Sequence, residues 1–139
     1  MPSISGASLV YSSGATGSDV FNPLTRWIDA GLVKNARAVL KMESDTDYCQ
    51  VTAAYQTCND PQANPDTAAA FQILDGDPEE DTDQVLTVEG VSYPNKWNDV
   101  STSTNGKKHV RFGVLVRNDT ANEDRQCCLA SLKVDYKTE

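Results

Sequence analysis

The sequence predicts an all-β protein: a single antiparallel β-sandwich, jelly-roll-like, with an extended N-terminal arm. Three observations predict it. The run from Lys107 to Tyr136 holds two stretches in which apolar and polar residues alternate, the mark of strands with one buried face. Roughly seven such stretches follow one another along the chain, with turn residues about every 8–12 positions. No segment carries a long apolar stripe of helical period. No fixed internal repeat is present either, which excludes a solenoid or a propeller.

Residues 1–20 are rich in Ser, Gly, Ala and Thr, a composition that buries little. They read as a docking arm or a flexible tail, with Ile4, Leu9, Val10, Tyr11 and Phe21 as apolar anchors for a partner. Residues 21–139 read as the sandwich. Within it, Phe21 to Ile28 is an edge segment, because Pro23 lacks a main-chain donor. Asp29-Ala30-Gly31 is a turn signal. Ala36, Ala38, Leu40 and Met42 share one strand face, and Cys49, Val51, Ala53 and Tyr55 share another. A short acidic turn separates these two runs, which suggests a hairpin.

Cys58 to Asp66 reads as loop, with two prolines and two asparagines. Short strands are expected in Ala68–Leu74 and Gln84–Val91, on either side of the acidic stretch Asp75–Asp83. Asn105-Gly106 turns the chain into the next strand. There Val110, Phe112, Val114 and Val116 alternate with polar positions, and only Leu115 breaks the pattern. After the polar stretch Asn118–Gln126, the positions Cys128, Ala130, Leu132, Val134 and Tyr136 form the last apolar face. These two strands are partners in a hairpin or lie across the sandwich from each other.

The chain has 139 residues, suited to one domain, and a formal net charge of −8 from 20 acidic and 12 basic residues. Such a balance argues against nucleic-acid binding, which needs clustered Lys and Arg. No apolar run approaches the roughly 20 residues of a membrane span. The first residues lack the basic and apolar regions of a secretory signal, so the chain is expected to be made and used without secretion, to be a mature form given a new Met1, or to be released by cell lysis. Cys49, Cys58, Cys127 and Cys128 do not have zinc spacing. A signal-less chain is ordinarily reduced; Cys49–Cys58 and Cys49–Cys128 are the disulfide alternatives.

Few residues invite chemistry. The sole histidine, His109, lies on the polar side of a strand, with no spacing that links it to Cys127 or Cys128. Paired loop carboxylates are too common to indicate a glycosidase, and Asn118-Asp119-Thr120 reads as a chance match to a glycosylation site. No catalytic residues are assigned and no cofactor is expected. Alternating acids at Asp75, Asp77, Glu79, Asp81 and Asp83 suit a structural Ca2+ ion. They fail the calcium-loop motif, with Glu80 and Leu86 where Gly and Glu belong. Tyr93 and Trp97 could stack on a sugar, which makes a carbohydrate-binding module the alternative function.

The runs STSTNGKKHVRFGVLVRNDT (Ser101–Thr120), CLASLKVDYK (Cys128–Lys137) and WIDAGLVKNARAVLKME (Trp27–Glu43) together resemble small jelly-roll virion proteins of tailed phages, the decoration proteins among them. The resemblance covers about residues 24 to 137 and lies in strand-and-turn pattern. It implies a non-enzymatic capsid decoration or other virion-surface protein. Its partner would be a protein lattice such as a major capsid protein, and it would form a homo-oligomer. It implies no nucleic-acid or membrane partner, and assigns the cysteines no role.

Overall fold

The computed structural model describes residues 1–12, 19–42, 49–63, 72–74, 85–86, 90–92, 97–118 and 127–139. Its strands are β1 Ser3–Tyr11, β2 Asp19–Pro23, β3 Ile28–Asp29, β4 Asn35–Met42, β5 Cys49–Cys58, β6 Gln72–Ile73, β7 Val85–Leu86, β8 Gly90–Ser92, β9 Asn98–Asp99, β10 His109–Asn118 and β11 Cys127–Lys137. A short α-helix, α1 Ser101–Thr104, precedes β10, and Ala30–Leu32 and Pro61–Ala63 are single 3-10 turns. Sheet A runs β1-β11-β4-β8, with β9 also on β4. Sheet B runs β2-β10-β5-β6, with β3 on β10 and β7 on β5. Every pairing is antiparallel. Along the chain β1, β2, β4 and β5 cross from sheet to sheet, as do β10 and β11, while β5 and β10 pair within sheet B. The two strand orders are those of a jelly roll.

The core lies between the sheets. Val110, Phe112, Val114 and Val116 of β10 and Val51, Ala53 and Tyr55 of β5 face Ala36, Ala38, Leu40 and Met42 of β4 and Ala130, Leu132 and Val134 of β11. These are the alternating sets read from the sequence. At roughly 1.5–3 kcal/mol for each buried large apolar side chain, they supply the main favourable contribution to folding. Gly106 takes a φ of 76° between α1 and β10, as an Asn-Gly turn requires.

Partnership differs from one expectation. The run Cys49–Tyr55 is not the hairpin partner of Ala36–Met42: β4 lies in sheet A and β5 in sheet B. β10 and β11 are likewise divided between the sheets. Alternation specifies which side chains go inward, and a core between two sheets satisfies that as well as a hairpin does. The Ser101–Thr104 part of the polar turn forms α1, where the Thr104 hydroxyl donates to the Val100 and Val33 carbonyls.

The stretch expected as an arm also has a place in the sandwich. Ser3–Tyr11 pairs residue for residue with β11, from Ser3 opposite Asp135 to Tyr11 opposite Cys127. Its small residues are what the packing admits. A Cβ on Gly6 would stand 1.8 Å from the Leu24 carbonyl oxygen, so only glycine lets sheet B approach β1 here.

Candidate functional site

A sandwich presents two outer faces, and in this molecule they differ. On sheet A the outward positions are Ser3, Ser5, Ala7, Leu9 and Tyr11 of β1, Leu129, Ser131, Lys133, Asp135 and Lys137 of β11, and Arg37, Val39 and Lys41 of β4. Small side chains at Ser5, Ala7 and Ser131, beside Val39, Lys41 and Lys133, leave a shallow depression of about 520 Å³. At one end Leu9, 53% exposed, stands opposite Leu129 in register, with Tyr11 beyond it at the surface. At the other end Arg37 pairs with Asp135 at 3.2 Å.

Among the described residues no strand pairs with the outer edge of β1, at the margin of this face. Tyr136 donates its N–H to the Pro2 carbonyl at 3.1 Å, which sets the parity of the β1–β11 ladder. The main-chain groups of Ser3, Ser5, Ala7 and Leu9 therefore point away from β11. Tyr11 points the same way, and Asn22 meets it. Its side chain accepts from the Tyr11 N–H at 3.0 Å and donates to the Tyr11 carbonyl at 2.9 Å. β1 carries no charge and no proline, the usual guards of an exposed edge. At the edge of sheet B, β2 ends on Pro23.

The outer face of sheet B is closed. Phe21 (0% exposed), Ala54 (0%) and Leu115 (4%) form a second apolar cluster there, separate from the core. Beside it the Arg111 guanidinium donates twice to Gln56 Oε1, at 3.0 and 2.8 Å, and lies 4.5 Å from the Trp27 ring centre and 5.7 Å from that of Phe21. Burial pulls the Arg111 pKa below its usual value, with the neighbouring Cys58 acting in the opposite sense. Arg117 holds Asp19 through two hydrogen bonds, at 2.9 and 3.1 Å, and these raise the Arg117 pKa.

The expected site residues are thus divided. Ile4, Val10 and Phe21 are buried within the fold, whereas Leu9 and Tyr11 are on the surface of sheet A. Trp97 is half-buried, with the Lys137 ammonium 4.2 Å and the Arg37 guanidinium 4.6 Å from its ring centre, so its π system already holds two cations. Tyr93 and the acids Asp75, Asp77, Glu79, Asp81 and Asp83 fall outside the described residues. Among the described residues no group of three or more His, Cys, Asp or Glu could hold a metal ion.

Cys58 is free, and as Cys49 and Cys58 end one extended strand, roughly 30 Å separates them. A Cys49–Cys58 disulfide is therefore excluded. Sequence spacing missed that His109 and Cys58 are cross-strand neighbours. Burial raises the Cys58 pKa, the reverse of what an activated thiolate requires.

No family model matches the sequence, and no curated protein matches it. Among solved structures, a chain in the structure of infectious bursal disease virus, Gx strain, superposes with a TM-score of 0.53 at 14% identity, over 98% of this chain. This chain spans 32% of that one. A chain of the Gt strain gives 0.40 at 9% identity, over 95% of this chain and 36% of that one. The decameric BFDV capsid protein gives 0.33 at 10% identity, over 98% and 97% of the two chains. The Gx-strain match is a likeness of fold.

Proposed function

We propose that this chain is a non-enzymatic structural protein of a virus particle, a capsid decoration or stabilising protein that docks on a protein lattice from the virion surface. The observation that carries the proposal is the open side of sheet A. There a nine-residue uncharged edge strand adjoins a face with a depression and exposed Leu9. An edge of this kind is completed by an added strand, with main-chain hydrogen bonds giving affinity and alternate side chains giving specificity. The likeness in fold to a chain of a virus structure supports the same assignment.

The test uses particles purified from the source of this sequence. Quantitative mass spectrometry should find the chain at a fixed ratio to the shell protein. Ala7→Pro should lower that ratio, because it removes an outward N–H and leaves the bonds to β11 in place. A chain confined to the soluble fraction would overturn the proposal.

A further inference from the structure

The outer edge of β1 is patterned symmetrically. Its outward main-chain groups belong to Ser3, Ser5, Ala7 and Leu9, and among the described residues none of them bonds to another strand. The Leu9 carbonyl accepts the Ser8 hydroxyl at 3.2 Å, and its second lone pair can take a further donor. At Tyr11 the Asn22 side chain occupies both main-chain groups. An added strand can therefore bond only as far as Leu9. The open positions are centred on Gly6, none of them is charged, and Leu9 is 53% exposed.

We propose that β1 pairs antiparallel with β1 of a second copy, about a twofold axis between the two Gly6 residues, joining the two A sheets into one. The inference rests on the assembly function proposed above and names the strand that completes the edge. In this register Ser3 stands opposite the partner's Leu9, and Ser5 opposite the partner's Ala7. The twofold repeats both pairs, and each exchanges two main-chain hydrogen bonds. A slip of two residues loses a pair, and a slip of one turns the partner's groups aside. β1 begins at Ser3, so the partner's strand starts opposite Leu9, the last open position before the Asn22 cap. A strand that meets its own copy meets its own charges. β1 has none, so no like charges are brought together. Leu9 lies over the partner's Ser3 and Ser5, and Gly6 meets the partner's Gly6 where the ladder is narrowest. The outer faces of the two A sheets then lie side by side and point the same way.

The experiment is sedimentation velocity on the full chain. Wild type should be a dimer whose strength is the same at about 20 mM and about 500 mM salt, because the contact holds no charge. The double variant Ser5→Glu/Ala7→Glu sets Glu against Glu in both central pairs and should weaken the dimer by roughly tenfold or more. The double variant Ser5→Glu/Ala7→Lys sets Glu against Lys in the same two pairs and should dimerise as wild type does, or more tightly at low salt. Thermal unfolding of dilute, monomeric protein should be alike for all three, because both side chains are exposed on the outer face.

A dimer that the Glu/Glu variant leaves unchanged would place the contact elsewhere and overturn the inference. Equal loss in the Glu/Lys variant would overturn the register. A wild-type monomer would overturn the pairing itself, while the particle ratio from mass spectrometry still decides the assembly function separately. Monomers whose Ser5, Ala7 and Leu9 amides gain hydrogen-exchange protection only on particles would overturn the choice of occupant in favour of a strand of the shell protein.

Discussion

The outer faces of sheets A and B are built from the same kind of strand and have opposite characters. On sheet B, β10 is buried on both sides: Val114, Leu115 and Val116 are consecutive and all enclosed. On sheet A, β11 is buried on one side only, with Ala130, Leu132 and Val134 inward and Lys133 exposed between them. A strand buried on both faces reads as a continuous apolar run, and a half-buried strand alternates. Sheet B has therefore spent its outer face on stability, whereas the outer face of sheet A remains at the surface.

The largest test of that contrast is Phe21→Ala. Phe21 is fully enclosed on the outer side of sheet B, so its truncation should cost about 3–5 kcal/mol in urea unfolding. A cost under about 0.5 kcal/mol would show the second cluster to be an ordinary surface patch. Next is Gly113→Ala, also on sheet B, where a Cβ would stand 2.2 Å from the Asn22 carbonyl oxygen. Seating it requires β2 to shift, at about 1–3 kcal/mol, read as a lower unfolding midpoint.

Arg111→Lys keeps a charge and loses the planar fork that meets Gln56 and stacks on Trp27. It should cost about 1–2 kcal/mol by the same measurement. Smallest is Leu9→Ser on sheet A, expected within about 0.5 kcal/mol of wild type in stability. In purified particles that variant should nonetheless stand at a lower ratio to the shell protein. An unchanged ratio would remove Leu9 from the docking surface.

The sequence showed more of this contrast than a binary pattern suggests. Alternation located β4, β5, β10 and β11 and the inward side of each. Leu115, the one exception in its strand, is the residue that joins Phe21 and Ala54 on the far side of sheet B. A break in alternation was thus the signal for a second buried face. Pairing was not legible, because inward alternation is the same for a hairpin and for strands across a core. β1 was obscured for another reason. Only Ile4 and Val10 of its nine residues are in the core, and the close approach of Leu24 to Gly6 requires the glycine. A strand with two core residues among small polar ones has the composition of a tail.

The pairing of β1 with β11 also bears on how the chain folds. Ser3 meets Asp135 and Pro2 bonds Tyr136, so the first strand waits for the last. During synthesis β1 has no partner until the segment up to Lys137 has left the ribosome. Closing so long a loop costs entropy before any contact repays it, and sandwiches rich in such distant pairings fold in roughly milliseconds to seconds. Throughout that interval an uncharged strand is unpaired on both sides, open to the same strand of a neighbouring nascent chain.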